Sequence, residues 1–251
     1  MTLQLRWKKY DVTLETTTRV VGGIPTDPKL IAAWIAARMK GVSADERAKL
    51  AEATIDALPA AVEEKAEAMW TTFKADKSGP YLEPRQVKAM FKECSNILRS
   101  MLEKGDKAAQ ADAEAEEDDD EIPAPEPATK KPAPKTRKSK FTNLKAKLAE
   151  RLFVVEAPVY FLRDGKQLAK VDGTEERAIH VMTPMGPRNA LKRFDFIEPG
   201  ATVSFSLKVL DDGLVTQDLI EVLLEYAGQN GLGADRSQGS GQFKVTKFTV
   251  L

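Results

Sequence analysis

"ATVSFSLKVLDDGLVTQDLIEVLLEYAGQNGLGADRSQGSGQFKVTKFTVL", residues 201–251, reads as strand, turn, helix, glycine-rich loop and strand. Val203, Phe205, Leu207 and Val209 alternate with Ser204, Ser206 and Lys208, the period of two expected of a half-buried antiparallel strand. Asp212-Gly213 supplies a turn. "LVTQDLIEVLLEYAGQN" then places Leu219, Val222, Leu223 and Tyr226 on one inward helical face. "GLGADRSQGSGQF", residues 231–243, is a pliable connector, and "QFKVTKFTVL" closes the chain as a strand.

The front of the chain has a matching plan. "LQLRWKKYDVTLETTTRVV" is rich in Thr, Val and aromatic residues and reads as an opening strand, broken by "GGIPTD". Asp27 is placed to cap the helix "PKLIAAWIAARMKG", with Pro28 at its first position. Ser43 and Glu46 stand at capping-box spacing before a further helical stretch, which Pro59 breaks or kinks. After Tyr81 and Leu82, Pro84 starts an amphipathic helix with Val87, Met90, Phe91, Cys94, Ile97, Leu98 and Met101 as its buried stripe. Further on, turns are read at Asp164-Gly165, Asp172-Gly173 and Pro199-Gly200. Strands with helices packed on one side make an α+β fold, a ferredoxin-like (RRM-like) antiparallel sheet of the split β-α-β kind.

From about Gly105 the composition changes to an acidic block, a Pro-Ala alternation and a basic block, "KKPAPKTRKSK". Such a stretch cannot bury enough apolar surface to order itself, so residues 105–140 are expected to be a disordered charged insertion. The opening and closing strands both have core-quality patterns. Residues 1–104 and 141–251 are therefore read as two parts of one interrupted domain.

Lys+Arg and Asp+Glu number 38 each, so total charge says nothing about a polyanionic partner and local distribution must decide. The single cysteine, Cys94, excludes an internal disulfide and fits a reducing cytoplasm. With one histidine, His180, there is no zinc constellation, and no metal or other cofactor is expected. The first residues lack a signal-peptide run, and no stretch approaches the roughly 20 apolar residues of a membrane span. A soluble cytoplasmic protein of a bacterium, or of an infected bacterial host, is the expectation, with no membrane partner.

The loop "GLGADRSQGSGQF" resembles the glycine-rich loop of the RAMP superfamily, RNA-binding proteins of CRISPR effector complexes with ferredoxin-like folds. "VTLETTTRVVGG" is similar to that family's opening strand, "GPYLEPRQVKAMFKE" to a Pro-initiated basic helix of its backbone subunits, and "EPGATVSFSLKVL" to its penultimate strand. The resemblance implies a non-catalytic protein that holds single-stranded, guide-like RNA, and it allows homo-oligomers or related RAMP subunits as partners. From the residues themselves, Gly231, Gly233, Gly239 and Gly241 would bring main-chain N–H groups to phosphates, beside Arg236 and Ser237.

Two further basic groups are candidates. Arg188, Lys192 and Arg193 fall in "HVMTPMGPRNALKRFDF", read as a basic binding loop suited to splayed bases. Arg85, Lys88 and Lys92 share one helical face. Two other classes of function compete with this reading. One is a metal-free RNA-processing endoribonuclease using His180 as general acid or base; Asp27 is a separate catalytic suspect, since the resemblance extends to target-cleaving subunits that use a loop aspartate with a metal. The other is a structural or assembly protein of a phage or mobile element that kept the fold.

Overall fold

The computed structural model describes residues 5–26, 31–32, 43–56, 69–117, 139–183 and 186–251. The chain begins with β1 (Trp7–Thr16), β2 (Val20–Val21) and β3 (Ile24–Pro25), and continues through helix α1 (Ala44–Asp56), β4 (Met69–Thr72), β5 (Lys74–Asp76) and β6 (Gly79–Leu82). The long helix α2 (Pro84–Glu117), the short α3 (Leu144–Arg151) and the strands β7 (Leu152–Val154), β8 (Val159–Arg163) and β9 (Lys166–Gln167) follow. Next come β10 (Gly173–Thr183), β11 (Gly186–Ile197) and β12 (Thr202–Leu210). Helix α4 (Gln217–Asn230) and β13 (Phe243–Val250) complete it.

One sheet runs β13-β1-β12-β8-β6-β5, with β7 also on β12 and β9 on β8. Taking β1, α2, β7, β12, α4 and β13 in chain order gives β-α-β-β-α-β, with the strands lying side by side as β13-β1-β12-β7 in antiparallel pairs. This is the ferredoxin-like arrangement expected from the sequence. The first and last strands pair directly, from Tyr10↔Val250 to Thr16↔Phe243.

The core lies between this sheet and the helices. Val203, Phe205, Leu207 and Val209 of β12 and Tyr10, Val12 and Leu14 of β1 face Val87, Phe91 and Cys94 of α2 and Leu219, Ile220 and Leu223 of α4. Fully burying a side chain such as Phe91 contributes about 2–3 kcal/mol of transfer free energy. Three stripe residues belong outside: Ile97 is 47%, Met101 69% and Val222 41% exposed. On α2 the stripe turns instead toward Leu102, which packs against the core; on α4 it runs through Ile220, Leu224 and Ala227.

Several local signals operate as the residue chemistry requires. Ser43 and Glu46 form the reciprocal capping box, Ser43 N–H donating to Glu46 Oε2 at 3.2 Å and Glu46 N–H to Ser43 Oγ at 3.3 Å. Asp164 and Gly165 both take positive φ between β8 and β9, the requirement of a tight hairpin turn. Helix α2 does not stop at Gly105 but continues to Glu117, because "DKAAQADAEAEE" is made of good helix formers. That stretch was read as disordered; the rest of the charged insertion, 118–138, lies outside the described residues. So do Asp27 and the helix it was expected to cap, apart from helical Ile31 and Ala32.

The second sheet, β10-β11-β4-β3 with β2 on β11, is built from segments inserted between the ferredoxin-like strands. Among the described residues its one parallel pair is β11 with β4. The segment 180–196, read from its prolines as a binding loop, lies mostly in the long β10–β11 hairpin, with His180 opposite Asn189 and Pro187 opposite Met182. Pro187 is tolerated because it stands at the turn end of β11, where a missing N–H costs the ladder little. Asp195 clamps this sheet from within: at 3% exposure it accepts from Trp70 Nε1 at 3.1 Å, Thr174 Oγ1 at 2.7 Å and Thr72 Oγ1.

Candidate nucleic-acid interface

The glycine-rich loop follows directly from how α4 ends. Thr216 caps the helix by accepting from Leu219 N–H, and Gly231 N–H donates to Ala227 O at 2.7 Å as the chain leaves it. The loop then folds back on the protein. Leu232 N–H donates to Gly241 O, Ala234 N–H to Val21 O, Gly241 N–H to Arg19 O and Gln242 N–H to Thr18 Oγ1, at 2.7–2.9 Å. Gly241 combines φ of +77° with a main-chain approach so close that a Cβ would overlap the Leu232 carbonyl oxygen. Gly231 and Gly233 likewise have the carbonyl oxygens of Ser240 and Val21 where a Cβ would stand. Only Gly239 of the four faces open space.

The picture of an open amide cradle therefore needs correction. Gly231, Gly239 and Gly241 donate their N–H groups inside the protein, and Arg236 Nη2 donates to Glu93 Oε2 at 2.7 Å. What the loop retains is a polar cavity of about 540 Å³ lined by Asn230, Gly233, Asp235, Arg236 and Ser237 among others. Among the described residues, the N–H groups of Gly233, Asp235, Arg236 and Ser237 have no acceptor. Buried Asn230 Nδ2 also has none.

Asp235 is the loop residue that sequence reasoning missed. It sits in the left-handed region, φ +54°, which aspartate tolerates better than most side chains. Its carboxylate accepts from Lys192 Nζ at 2.6 Å and Arg177 Nη2 at 3.0 Å, tying the loop to the β10–β11 hairpin. Lys192 is thus a clamp rather than a free cation. Arg193 lies with its guanidinium 4.8 Å from the Trp70 ring centre and its Nε 3.6 Å from Glu176, and that Nε has no hydrogen-bond partner. The side chains of Arg188 and His180 lie outside the described residues. Arg85 pairs with Glu83 at 2.5 Å.

A different face carries the unneutralised charge. Helix α3 packs on α2, and between them Lys92, Asn96 and Arg99 of α2 meet Asn143 and Lys145 at the start of α3 in a groove of about 380 Å³. Among the described residues no carboxylate lines it. Among the described residues Lys92, Arg99 and Lys145 have no ion-pair partner. Asn143 holds φ +58° and makes no capping bond with its side chain. Lys88, one turn before Lys92, extends the row; burial and then the Lys92 charge lower its pKa. From Lys88 to Arg99 the row runs about 16 Å along the helix axis. Lys88 and Lys92 of the helical face read from the sequence both lie along this row. Arg99 and Lys145 needed the fold, since residues so far apart in sequence meet only when α3 docks.

No protein-family model matches the chain, and no curated protein matches it. Among solved structures, a chain from the Type III-B Cmr-beta bound to cognate target RNA aligns at 16% identity and a TM-score of 0.41, covering 98% of this chain. A chain of a Type IV-B CRISPR complex aligns at 12% identity and a TM-score of 0.39, covering 97% of this chain and 90% of its own. This chain spans 61% of the length of the first of these. Among the described residues, no helix is long and apolar enough to cross a membrane.

Proposed function

We propose that the protein binds single-stranded RNA through its phosphate backbone, without catalysis, as a RAMP-type ferredoxin-like domain whose parts 1–104 and 141–251 flank the charged insertion. The observation that supports this is the α2–α3 groove, where Lys92, Arg99 and Lys145 stand without carboxylates in a chain of zero formal net charge. Three cations held together unneutralised repel one another, and a polyanion relieves that repulsion while releasing its own counterions. Asn96 and Asn143 add neutral donors to the same groove. The loop cavity beside Asn230 offers further neutral donors, and it can take a phosphate through Arg236 only if Glu93 lets that side chain go.

The test is fluorescence anisotropy of a labelled single-stranded RNA across a salt series. Replacing Lys92, Arg99 and Lys145 together by alanine should leave thermal stability close to wild type, since none holds an ion pair. It should weaken RNA binding and reduce the slope of log K against log salt by about 2, at roughly 0.7 for each lost phosphate contact. An unchanged slope would remove the groove from the interface. Cleavage of the RNA in EDTA that is lost in His180→Ala would replace the proposal with the endoribonuclease reading.

A further inference from the structure

The open face of the first sheet carries an aromatic pair that the groove does not use. Core-facing and open-facing residues alternate along β1, β12 and β7, so Trp7 and Lys9, Lys208, and Phe153 stand on the face away from the helices. Trp7 is 37% and Phe153 40% exposed. Their rings meet edge to face, centres 5.9 Å apart at 70°. Lysines flank both: Lys208 Nζ lies 4.6 Å from the Trp7 ring centre, and Lys88 Nζ lies 4.3 Å from that of Phe153.

The strand register adds an observation that the fold alone does not explain. Lys9 of β1 lies directly opposite Lys208 of β12, and Lys208 directly opposite Phe153 of β7. Like charges facing one another across an antiparallel pair destabilise it. Among the described residues neither Lys9 nor Lys208 has a carboxylate partner to offset this. Elsewhere on the same sheet the cations are answered: Lys247 pairs with Asp11, and Lys244 with Glu15, at 2.9 and 3.0 Å. The Lys208 contact with the Trp7 ring offsets part of this cost, but facing lysines beside two exposed rings remain a costly local choice for the free protein and suit a ligand that is both anionic and aromatic.

We infer that Trp7 and Phe153 form a stacking platform for an unpaired base of single-stranded RNA, with Lys9 and Lys208 receiving the phosphates beside that base. The inference rests on the RNA-binding reading and adds a second contact of different chemistry to it. Bases supply π-faces whatever their identity, so such a platform is tolerant of sequence. The ammonium groups now lying on the rings are movable covers. A ring–ammonium contact at an exposed site is weaker than a base stacked on an aromatic side chain, so the base displaces the lysine, which turns to a phosphate. Lys88 joins the two regions, since it touches Phe153 and lies one turn from Lys92 of the groove.

The experiment compares a labelled single-stranded RNA with an abasic ribose-phosphate strand of the same length, against the full chain. The wild type should bind the base-bearing strand about ten-fold more tightly than the abasic one. Trp7→Leu combined with Phe153→Leu, which keeps apolar bulk and removes the rings, should bind both strands at the abasic affinity, with unchanged thermal unfolding. Lys9→Gln with Lys208→Gln should weaken both strands alike. Should the wild type bind the two strands equally, or the leucine variant keep the full preference, the platform is wrong. The groove reading would still stand if the Lys92, Arg99 and Lys145 triple variant weakens abasic-strand binding. A wild type that binds neither strand overturns both.

Discussion

Arg236 of the glycine-rich loop lies 2.7 Å from the Glu93 carboxylate, whereas Lys92, one residue earlier on α2, faces a groove that, among the described residues, no carboxylate lines. The two regions are neighbours on one helix and have opposite electrostatic characters. In the loop, cations are matched: Arg236 with Glu93, Lys192 and Arg177 with Asp235. The main-chain donors of Ala234, Gly241 and Gln242 are matched as well, to Val21, Arg19 and Thr18. In the groove Lys92, Arg99 and Lys145 are unmatched among the described residues. In a chain with equal numbers of acids and bases, the surface proposed to bind RNA is thus marked not by total charge but by where pairing stops.

The largest effect that could break this contrast concerns the loop's architecture. Gly241→Ala puts a methyl group into the Leu232 carbonyl at a φ that side chains resist, so it should cost about 4 kcal/mol or more by denaturant unfolding. Gly239→Ala has open space around it and should cost only about 1–2 kcal/mol for its left-handed backbone. If the two substitutions were equally mild, the loop would not be the tightly packed element described, and the open cradle would return.

A smaller effect sharpens the contrast across α2. Glu93→Gln removes the partner of Arg236 while keeping the side chain's shape. The pair is partly exposed, at 43% and 28%, so stability should move by less than about 1 kcal/mol. RNA affinity should rise a few-fold at low salt, because a carboxylate beside Lys92 is gone and Arg236 becomes available to a phosphate. Weaker binding would mean that the Glu93–Arg236 pair shapes the interface rather than masking it.

Much of this molecule was legible in its residues. The alternation of Val203 through Val209, the Ser43–Glu46 capping box and the strand-helix-loop-strand ending all follow from local periodicity and capping chemistry, and each stands where it was read. The second sheet was not legible. Its strands pair across long separations, such as Lys192 with Met69, and the prolines near Pro187 argued locally for a loop. The candidate site was half legible for the same reason. Lys88 and Lys92 share a helical face that counting finds, but the glycines were read as exposed because flexibility and close packing demand the same residue. Whether Gly241 serves a ligand or the Leu232 carbonyl depends on a neighbour that sequence spacing does not reveal. Asp235 and Glu93 escaped notice because a carboxylate that neutralises a distant cation looks, in sequence, like any solvated acid.

The smallest effect uses pH to separate matched from unmatched charge. Arg163 holds Asp172 with two bonds of 2.8 Å, and this hydrogen bonding is the main reason its carboxyl titrates below the usual carboxylate range. Because the folded value is depressed, the pair's contribution to stability is fully present above the unfolded value of about 3.9 and is lost as pH falls through the folded one. Wild-type stability should therefore decline more steeply than that of Asp172→Asn below about pH 4, in denaturant titrations at fixed ionic strength. Among the described residues the lysines and arginine of the groove have no acidic partner to lose. In His180→Ala, which removes the one histidine, RNA binding at constant salt should accordingly hold between about pH 7 and 5. A rise in affinity as the pH falls over that range would reveal an acidic partner whose protonation frees the groove's cations, and would erase the distinction between the two regions.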